Sequence, residues 1–341
     1  MVLVTPRQSA TAPRPAAPGS ATSRAGAPRS GTPWPAVRKP SPIEAVVGSP
    51  ADSAEGPAPA RDEVLALLRN GSGRRPRFDP GLAGGLRAWL EDGASELVAA
   101  RGDDAPPLFL GPRLLWEQSA STVEPSVDVE PHHEPHHYSI ELVRSCLVRA
   151  LFRQLVTLGQ VGDPLEDALD ALRVDPGRAG MVRYVNDMTV ENRAALATSL
   201  TTHVANVENL TPRFAAAWLP RTDDRVAIPL AGGRVVLSGV FDLLVGAPVP
   251  GTATLCALGL TTGGRWAQAR TALHYLALLE TLRSGTPPFR IALLHSAAGR
   301  FGVEDVLEEH LQSIVSHVVV RLSTLGREVN AVAVQGEQVN V

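Results

Sequence analysis

The chain has 341 residues, of which 44% are hydrophobic and 20% are charged, so it can bury a substantial core in one or two domains. A net charge of -3 excludes an overall basic surface that binds nucleic acid without specificity, although a local basic groove is compatible with it. Two distant cysteines, Cys146 and Cys256, exclude a disulfide scaffold or a cysteine-ligated metal centre. The sequence has neither a membrane-spanning apolar run nor a signal-peptide core, so we expect a soluble cytoplasmic protein.

The first part of the chain predicts little packed structure. Residues 1–60 are rich in proline, alanine, serine and arginine without an apolar period, which predicts a disordered tail. Residues 61–137 predict a small helical region and a linker, with Asp79-Pro80 as the N-cap and first position of a helix. The linker ends in PHHEPHH (131–137), whose imidazoles could bind a divalent metal. Its prolines and its lack of helical spacing favour adventitious binding or plain solvation.

Residues 138–328 predict an α/β domain, and residues 329–341 remain as a C-terminal tail. Ser139 is placed to cap the first helix of this domain. Hydrophobic periodicity predicts three helices first, at 139–158, from 163 to before Asp175, and at 189–206. Three strands follow, at 225–230, 234–245 and 254–260, and then a helix at 265–282, a strand at 289–296 and a helix at 305–325. The helix between the last two strands makes them parallel through a right-handed crossover. The sequence therefore predicts a mixed β-sheet flanked by helices, with an α-β-β-β-α-β core.

One carboxylate, Asp242, interrupts the apolar strand VVLSGVFDLLVG (235–246). A buried charge needs a partner, a hydrogen-bond network or a metal. The order of elements, together with Gly239-Val-Phe-Asp242 in the second strand, resembles the PD-(D/E)XK nuclease superfamily, and most of all its RecB-like branch. This resemblance covers roughly residues 138–325 and implies a restriction-endonuclease-like core. The simpler alternative is that Asp242 caps a segment or pairs with an arginine inside an unrelated α/β domain.

The resemblance also implies which residues a working site would need. In such nucleases, carboxylates hold one or two Mg²⁺ ions that activate water, and a lysine stabilises the transition state. Asp242 matches the first carboxylate. Aligning Thr262-Gly263 with the family's Thr-Gly places Gly259 at the second carboxylate and Thr261 at the lysine, and the only lysine of the chain is Lys39. Two of three metal-site positions are thus missing, so the resemblance implies a catalytically degenerate domain.

The following helix matches the family only in part. The family pattern there is glutamine, three residues and tyrosine; Tyr275 matches the tyrosine, whereas Gln268 lies one turn too early and Thr271 occupies the glutamine position. Our preferred hypothesis is a nucleic-acid-binding or partner-docking module without a cofactor, acting in DNA processing, repair or defence. Its partner would be DNA or a helicase or nuclease protein, and no membrane is involved. The side chains expected to meet phosphate are Arg265, Arg270 and Arg283.

A second hypothesis is an active Mg²⁺-dependent DNA nuclease with a rearranged site. It would use Asp242 as a metal ligand, a displaced carboxylate from Glu280 or Glu141, and an arginine in place of the lysine. Other chemistry lacks motifs, since the chain has no Walker loop, GxSxG, HExxH or strand-following GxGxxG. The histidines of the predicted helices and strands are expected on the surface or in the core rather than as ligands: His203, His274, His295, His310 and His317.

Overall fold

The computed structural model of the chain describes residues 61–69, 77–102, 104–116, 138–263 and 266–339. The tail at 1–60 and the PHHEPHH segment lie outside these ranges. The helices are α1 (Arg61–Arg69), α2 (Leu82–Arg101), α3 (Ile140–Leu158), α4 (Pro164–Arg173), α5 (Ala179–Asn186), α6 (Val190–Leu210), α7 (Trp266–Ser284) and α8 (Glu308–Val339). The strands are β1 (Leu108–Leu110), β2 (Arg221–Leu230), β3 (Val235–Val245), β4 (Cys256–Thr261), β5 (Arg290–His295) and β6 (Arg300–Asp305).

All six of these strands form one open mixed sheet. Strands β2, β3 and β4 form an antiparallel meander, and β5 lies parallel to β4 after the crossover through α7. Strand β6 returns antiparallel to β5. Strand β2 pairs with β3 along one edge of β3. Along the other edge, the first residues of β3 pair in parallel with β1, and its last residues pair antiparallel with β4. The expected mixed sheet flanked by helices is therefore confirmed, as is the parallel pairing across the crossover.

Helices cover both faces of the sheet. Helices α2, α7 and α8 share one hydrophobic cluster with the sheet, and α1, α3, α4, α5 and α6 share a second cluster on the other face. Helix α7 lies very close to β3 and β4, because a Cβ at Gly239 would overlap Leu276 and a Cβ at Gly259 would lie 2.8 Å from Leu273. Over the described ranges, no helix combines the length and the apolar character that a membrane crossing requires.

Two helices begin at capping residues that can be identified in the sequence. The Ser139 hydroxyl accepts a hydrogen bond from the Leu142 amide at 3.2 Å and caps α3. Asp163 caps α4 in the same way, with a proline at the first helical position. Helix α3 ends at Gly159, whose φ of 78° is the left-handed conformation that glycine adopts without strain. The predicted cap at Ser139 is thus confirmed.

Several predicted boundaries differ from the structure. Asp79 lies in a turn that precedes α2, and its carboxylate accepts the Gly81 amide at 2.6 Å, so the helix begins at Leu82 instead of Pro80. Asp305 ends β6 and does not begin a helix. Helix α8 continues to Val339, so most of the predicted C-terminal tail is helical. Strands β1 and β6 and helix α5 were not predicted, because β1 has only three residues and β6 is a half-exposed edge strand without clear alternation.

Candidate functional site

Asp242 lies at an irregularity in the centre of the sheet. The pairing of β2 with β3 keeps one register along both strands but skips the Asp223–Asp242 pair, and Asp223 has a φ of 52°. Phe241 packs in the cluster of α7, whereas Leu243 packs in the cluster of α3. At Asp242, the side chains of β3 therefore stop alternating regularly between the two faces of the sheet. The ladder to β4 begins only at Leu243, so Asp242 stands where β3 and β4 separate.

Both carboxylate oxygens of Asp242 have partners. Oδ1 accepts a hydrogen bond from Arg149 Nε at 2.9 Å, and Oδ2 accepts one from the Leu260 amide at 2.7 Å. Arg149 Nη2 also donates to the Leu260 carbonyl at 3.1 Å, so the arginine and the aspartate together bridge β3, β4 and α3. Attraction by Asp242 outweighs burial and raises the pKa of Arg149. The charge is thus matched by an arginine, as in the simpler of the two alternatives raised by the sequence.

A second arginine of α3 repeats the arrangement one helical turn later. Arg153 binds the carboxylate of Asp223, the residue opposite Asp242 in β2. Arg149 additionally contacts the hydroxyl of Ser145. Because residues four apart share one face of a helix, two arginines of α3 hold the two aspartates at the strand irregularity. The only signal for this pairing in the sequence was the position of both arginines away from the apolar stripe of the helix.

Gly259 and Thr261, which the resemblance aligns with the second carboxylate and the lysine, serve packing and turn formation. The Cβ direction of Gly259 runs into the side chain of Leu273, so an aspartate there would need that side chain to shift. Thr261, at the position of the family's lysine, donates its hydroxyl to the Gly263 carbonyl at 2.7 Å. Neither position therefore supplies a group that could act on a phosphate next to Asp242.

The displaced carboxylates of the alternative hypothesis lie elsewhere. Glu280 is buried on α7, on the opposite face of the sheet from α3, and accepts a hydrogen bond from Arg283 at 2.8 Å. Burial raises the pKa of Glu280 in spite of Arg283. Glu141 lies on the exposed first turn of α3, about 12 Å along the helix from Arg149 at 1.5 Å per residue. The structure does not bring either carboxylate to Asp242.

The arginines that we expected to meet phosphate have different environments. Arg265 lies outside the described residues. Arg270 donates two hydrogen bonds to Glu304, at 2.6 and 2.7 Å, and Arg283 donates two to Asp224, at 2.9 and 3.1 Å. Bidentate pairs of this kind satisfy the guanidinium group. A phosphate would have to displace a carboxylate at either Arg270 or Arg283.

The two residues of the motif helix also have separate positions. The Tyr275 hydroxyl donates to the Leu110 carbonyl at 2.9 Å, at the end of β1. Complete burial raises the pKa of Tyr275 far above its usual value, so the group remains a neutral donor. Gln268 is in the first turn of α7. Tyr275 therefore fixes α7 to the sheet, and its position is explained by packing.

Within the described ranges, no helix covers one part of the sheet on the α3 side. Here Phe109 is 39% exposed and Val240 is 48% exposed, and they lie on neighbouring strands because Phe109 pairs with Val236. Val236 in turn pairs with the exposed Pro229 of β2. We name this surface, formed by Phe109, Pro229, Val236 and Val240, the open sheet face. It is an apolar patch, and its member nearest to Asp242 in the sequence is Val240, two residues earlier in β3.

Comparison with known proteins gives no further assignment, because neither the protein-family models nor the curated proteins include a match to this chain. The site must therefore be interpreted from its own geometry. Sequence reasoning missed Arg149 as the partner of Asp242. It also set aside His274 and His310, which the structure places next to each other, with ring centroids 4.8 Å apart.

Proposed function

We propose that this chain carries a catalytically degenerate, RecB-like domain of the PD-(D/E)XK type that docks a protein partner. The β2–β3–β4 meander, the crossover through α7 and the position of Asp242 in β3 support this interpretation. The observation that carries the loss of catalysis is the closed contact of Asp242 with Arg149 and the Leu260 amide. A Mg²⁺ ion needs free carboxylate oxygens in an octahedral arrangement, and a guanidinium group at that place repels it.

A protein partner agrees with the surface better than nucleic acid does. The two described arginines of our phosphate hypothesis, Arg270 and Arg283, are already bound to carboxylates. The open sheet face, by contrast, offers exposed apolar side chains on neighbouring strands, Phe109 on β1 and Val240 on β3, and Val240 is two residues before Asp242. Apolar patches rimmed by polar groups are typical of protein interaction sites. From the resemblance, we propose a helicase or nuclease protein as this partner.

Catalysis is tested with the purified full-length chain, Mg²⁺ or Mn²⁺, and end-labelled single- and double-stranded DNA. We expect no cleavage with either metal. Metal-dependent cleavage that disappears in Asp242→Asn but persists in Asp223→Asn would overturn the proposal and establish the nuclease alternative. Asp223→Asn is the matched control because Asp223 lies opposite Asp242 and binds the neighbouring arginine of α3.

Docking is tested by placing a photo-crosslinking residue at Val240 and, as a control, at Val174. Val174 is 82% exposed, so it is more accessible than Val240 but lies outside the open sheet face. In extracts of the source cells, we expect one partner to crosslink from Val240, not from Val174, and to be lost when Phe109→Asp is added. Equal crosslinking from both positions would contradict a docking role for this face.

The nucleic-acid alternative is decided by fluorescence anisotropy with labelled DNA at low salt. When the salt is raised to the physiological level, we expect affinity no better than the non-specific range, on the order of micromolar or weaker. Tight, salt-dependent binding that is weakened by Arg270→Ala or Arg283→Ala would favour a nucleic-acid module instead. Circular dichroism of each variant shows whether lost binding reflects lost folding.

A further inference from the structure

Three potential metal ligands meet far from Asp242. They are His274 on α7, Glu304 on β6 and His310 near the start of α8, and one ligand atom of each lies within 4.8 Å of the others. Within the described part of the chain, this is the one group of three or more metal-ligating side chains. We name it the His–Glu–His cluster. Neutral imidazole and carboxylate are common ligands of zinc.

The spacing of these atoms fits a shared ion better than direct hydrogen bonds. Oε1 of Glu304 lies 3.4 Å from His274 Nε2 and 3.5 Å from His310 Nε2. Nitrogen–oxygen hydrogen bonds are normally about 2.7–3.2 Å long. Ligands at about 2.0–2.1 Å from a tetrahedral zinc ion lie roughly 3.3–3.4 Å from one another. The two nitrogen–oxygen distances in the cluster are therefore close to the ligand–ligand distances of a tetrahedral zinc site.

The imidazole of His274 has no explanation in packing alone. Its side chain is only 8% exposed, and its Nδ1 is buried without a hydrogen-bond partner, as is Nδ1 of His310. Buried polar atoms in folded proteins are almost always satisfied. Because Nε2 of both rings faces Glu304, an ion in the cluster would bind through Nε2, and Nδ1 of each ring would carry the proton.

Arg270 also binds the carboxylate of the cluster. It donates to Oε2 of Glu304 at 2.6 Å and to Oε1 at 2.7 Å. An ion bound at Oε1 would displace the second of these hydrogen bonds, whereas the first can remain and orient the carboxylate.

We propose that His274, Glu304 and His310 bind one divalent transition-metal ion, with zinc as the best match, and leave its fourth position to water. The ion ties the edge strand β6 and the first turn of α8 to the crossover helix α7. An ion that binds the folded state and not the unfolded chain raises stability. This site is independent of the docking function proposed above.

The test must separate this site from PHHEPHH, which lies outside the described residues and also offers imidazoles. The parent protein is therefore the full-length chain with His132, His133, His136 and His137 changed to Asn. After chelator treatment it is titrated with Zn²⁺ by calorimetry and with Co²⁺ by visible absorption. His310→Asn is the test variant, since His310 is partly exposed and tolerates replacement. His317→Asn on the same helix is the matched control.

We expect one Zn²⁺ per parent chain, a tetrahedral Co²⁺ spectrum and a rise in melting temperature with Zn²⁺. His310→Asn should weaken binding by more than tenfold and abolish the melting shift, whereas His317→Asn should change neither. Zinc affinity of the parent weaker than on the order of 10 μM would overturn the proposal. Unchanged affinity in His310→Asn would overturn it as well, and binding lost together with the four linker histidines would locate the metal at PHHEPHH.

Discussion

Arg149 of α3 donates a 2.9 Å hydrogen bond to Asp242 of β3, at the point where β3 and β4 separate. β3 and β4 do not pair through backbone hydrogen bonds at Asp242. There, the Asp242 side chain links the strands instead, through its contacts with Arg149 and the Leu260 amide. Asp242 is only 15% exposed, so its charge has little water to compensate it. The aspartate that drew attention in the sequence thus has a structural role that its contacts account for.

Removing either member of this pair should destabilise the domain. We expect Asp242→Asn and Arg149→Gln each to lower the free energy of unfolding by about 1.5–3 kcal/mol, the usual worth of a charged hydrogen bond. The double variant should cost less than the sum of the two, as measured by urea denaturation. Arg153→Gln breaks the neighbouring, more exposed pair and should cost less than about 1 kcal/mol. If the double variant lost as much free energy of unfolding as the two single variants together, Asp242 and Arg149 would not be coupled.

Introducing a carboxylate at Gly259 should not create a nuclease. Gly259→Asp places a Cβ against Leu273, so we expect overpacking to lower the free energy of unfolding by about 1–3 kcal/mol. Metal-dependent DNA cleavage should remain absent. Adding Leu273→Ala makes room, so the double variant should be more stable than the two separate losses predict. Cleavage by Gly259→Asp would mean that one side chain separates this domain from an active enzyme.

Glu304 should make stability depend on pH in the acid range. Its pKa in the folded state is depressed, so its contribution is complete above its usual value of 4.5 and is lost as the pH falls towards the folded value. Urea denaturation from neutral to acid pH should show a smaller loss for Glu304→Gln than for the unchanged protein. Glu280 has a raised pKa and the opposite sign, so Glu280→Gln should remove a contribution that grows as the pH falls. Equal slopes for the unchanged protein and Glu304→Gln would contradict the assignment.

Arg270 should compete with a metal ion for Glu304. It donates to Oε1 at 2.7 Å, the same oxygen that faces both histidines, and its charge repels a dication. We therefore expect Arg270→Gln to raise zinc affinity several-fold in the calorimetric titration of the parent protein. Arg283→Gln, at the distant pair with Asp224, is the control and should leave zinc affinity unchanged. Weaker zinc binding in Arg270→Gln would instead make the arginine a required support of the site.

The sequence was most informative where structure is local. The Ser139 cap, the meander and the crossover through α7 each follow from residues that are neighbours in the chain. Strand β6 was missed because its pattern is that of a half-exposed edge, although the Ala-Ala-Gly turn before it is a hairpin signal. The length of α8 was missed because its last turns have a weak apolar pattern.

The side-chain partners were beyond sequence reasoning for a different reason. Arg149 and Asp242 are 93 positions apart, and nothing in the pattern of either element says which arginine turns to the sheet. His274 and His310 each occupy an ordinary helical position, so only the approach of α8 to α7 brings them together. Charges and ligands that pair across elements depend on packing, which a single sequence encodes only indirectly.

The glycine beneath α7 bears on what the Gly239 and Asp242 pair can indicate. A Cβ at Gly239 would overlap the end of the Leu276 side chain, so a larger residue there would need that side chain to shift. Gly239 and Asp242 therefore both have structural roles in β3, and the pair does not by itself indicate a nuclease.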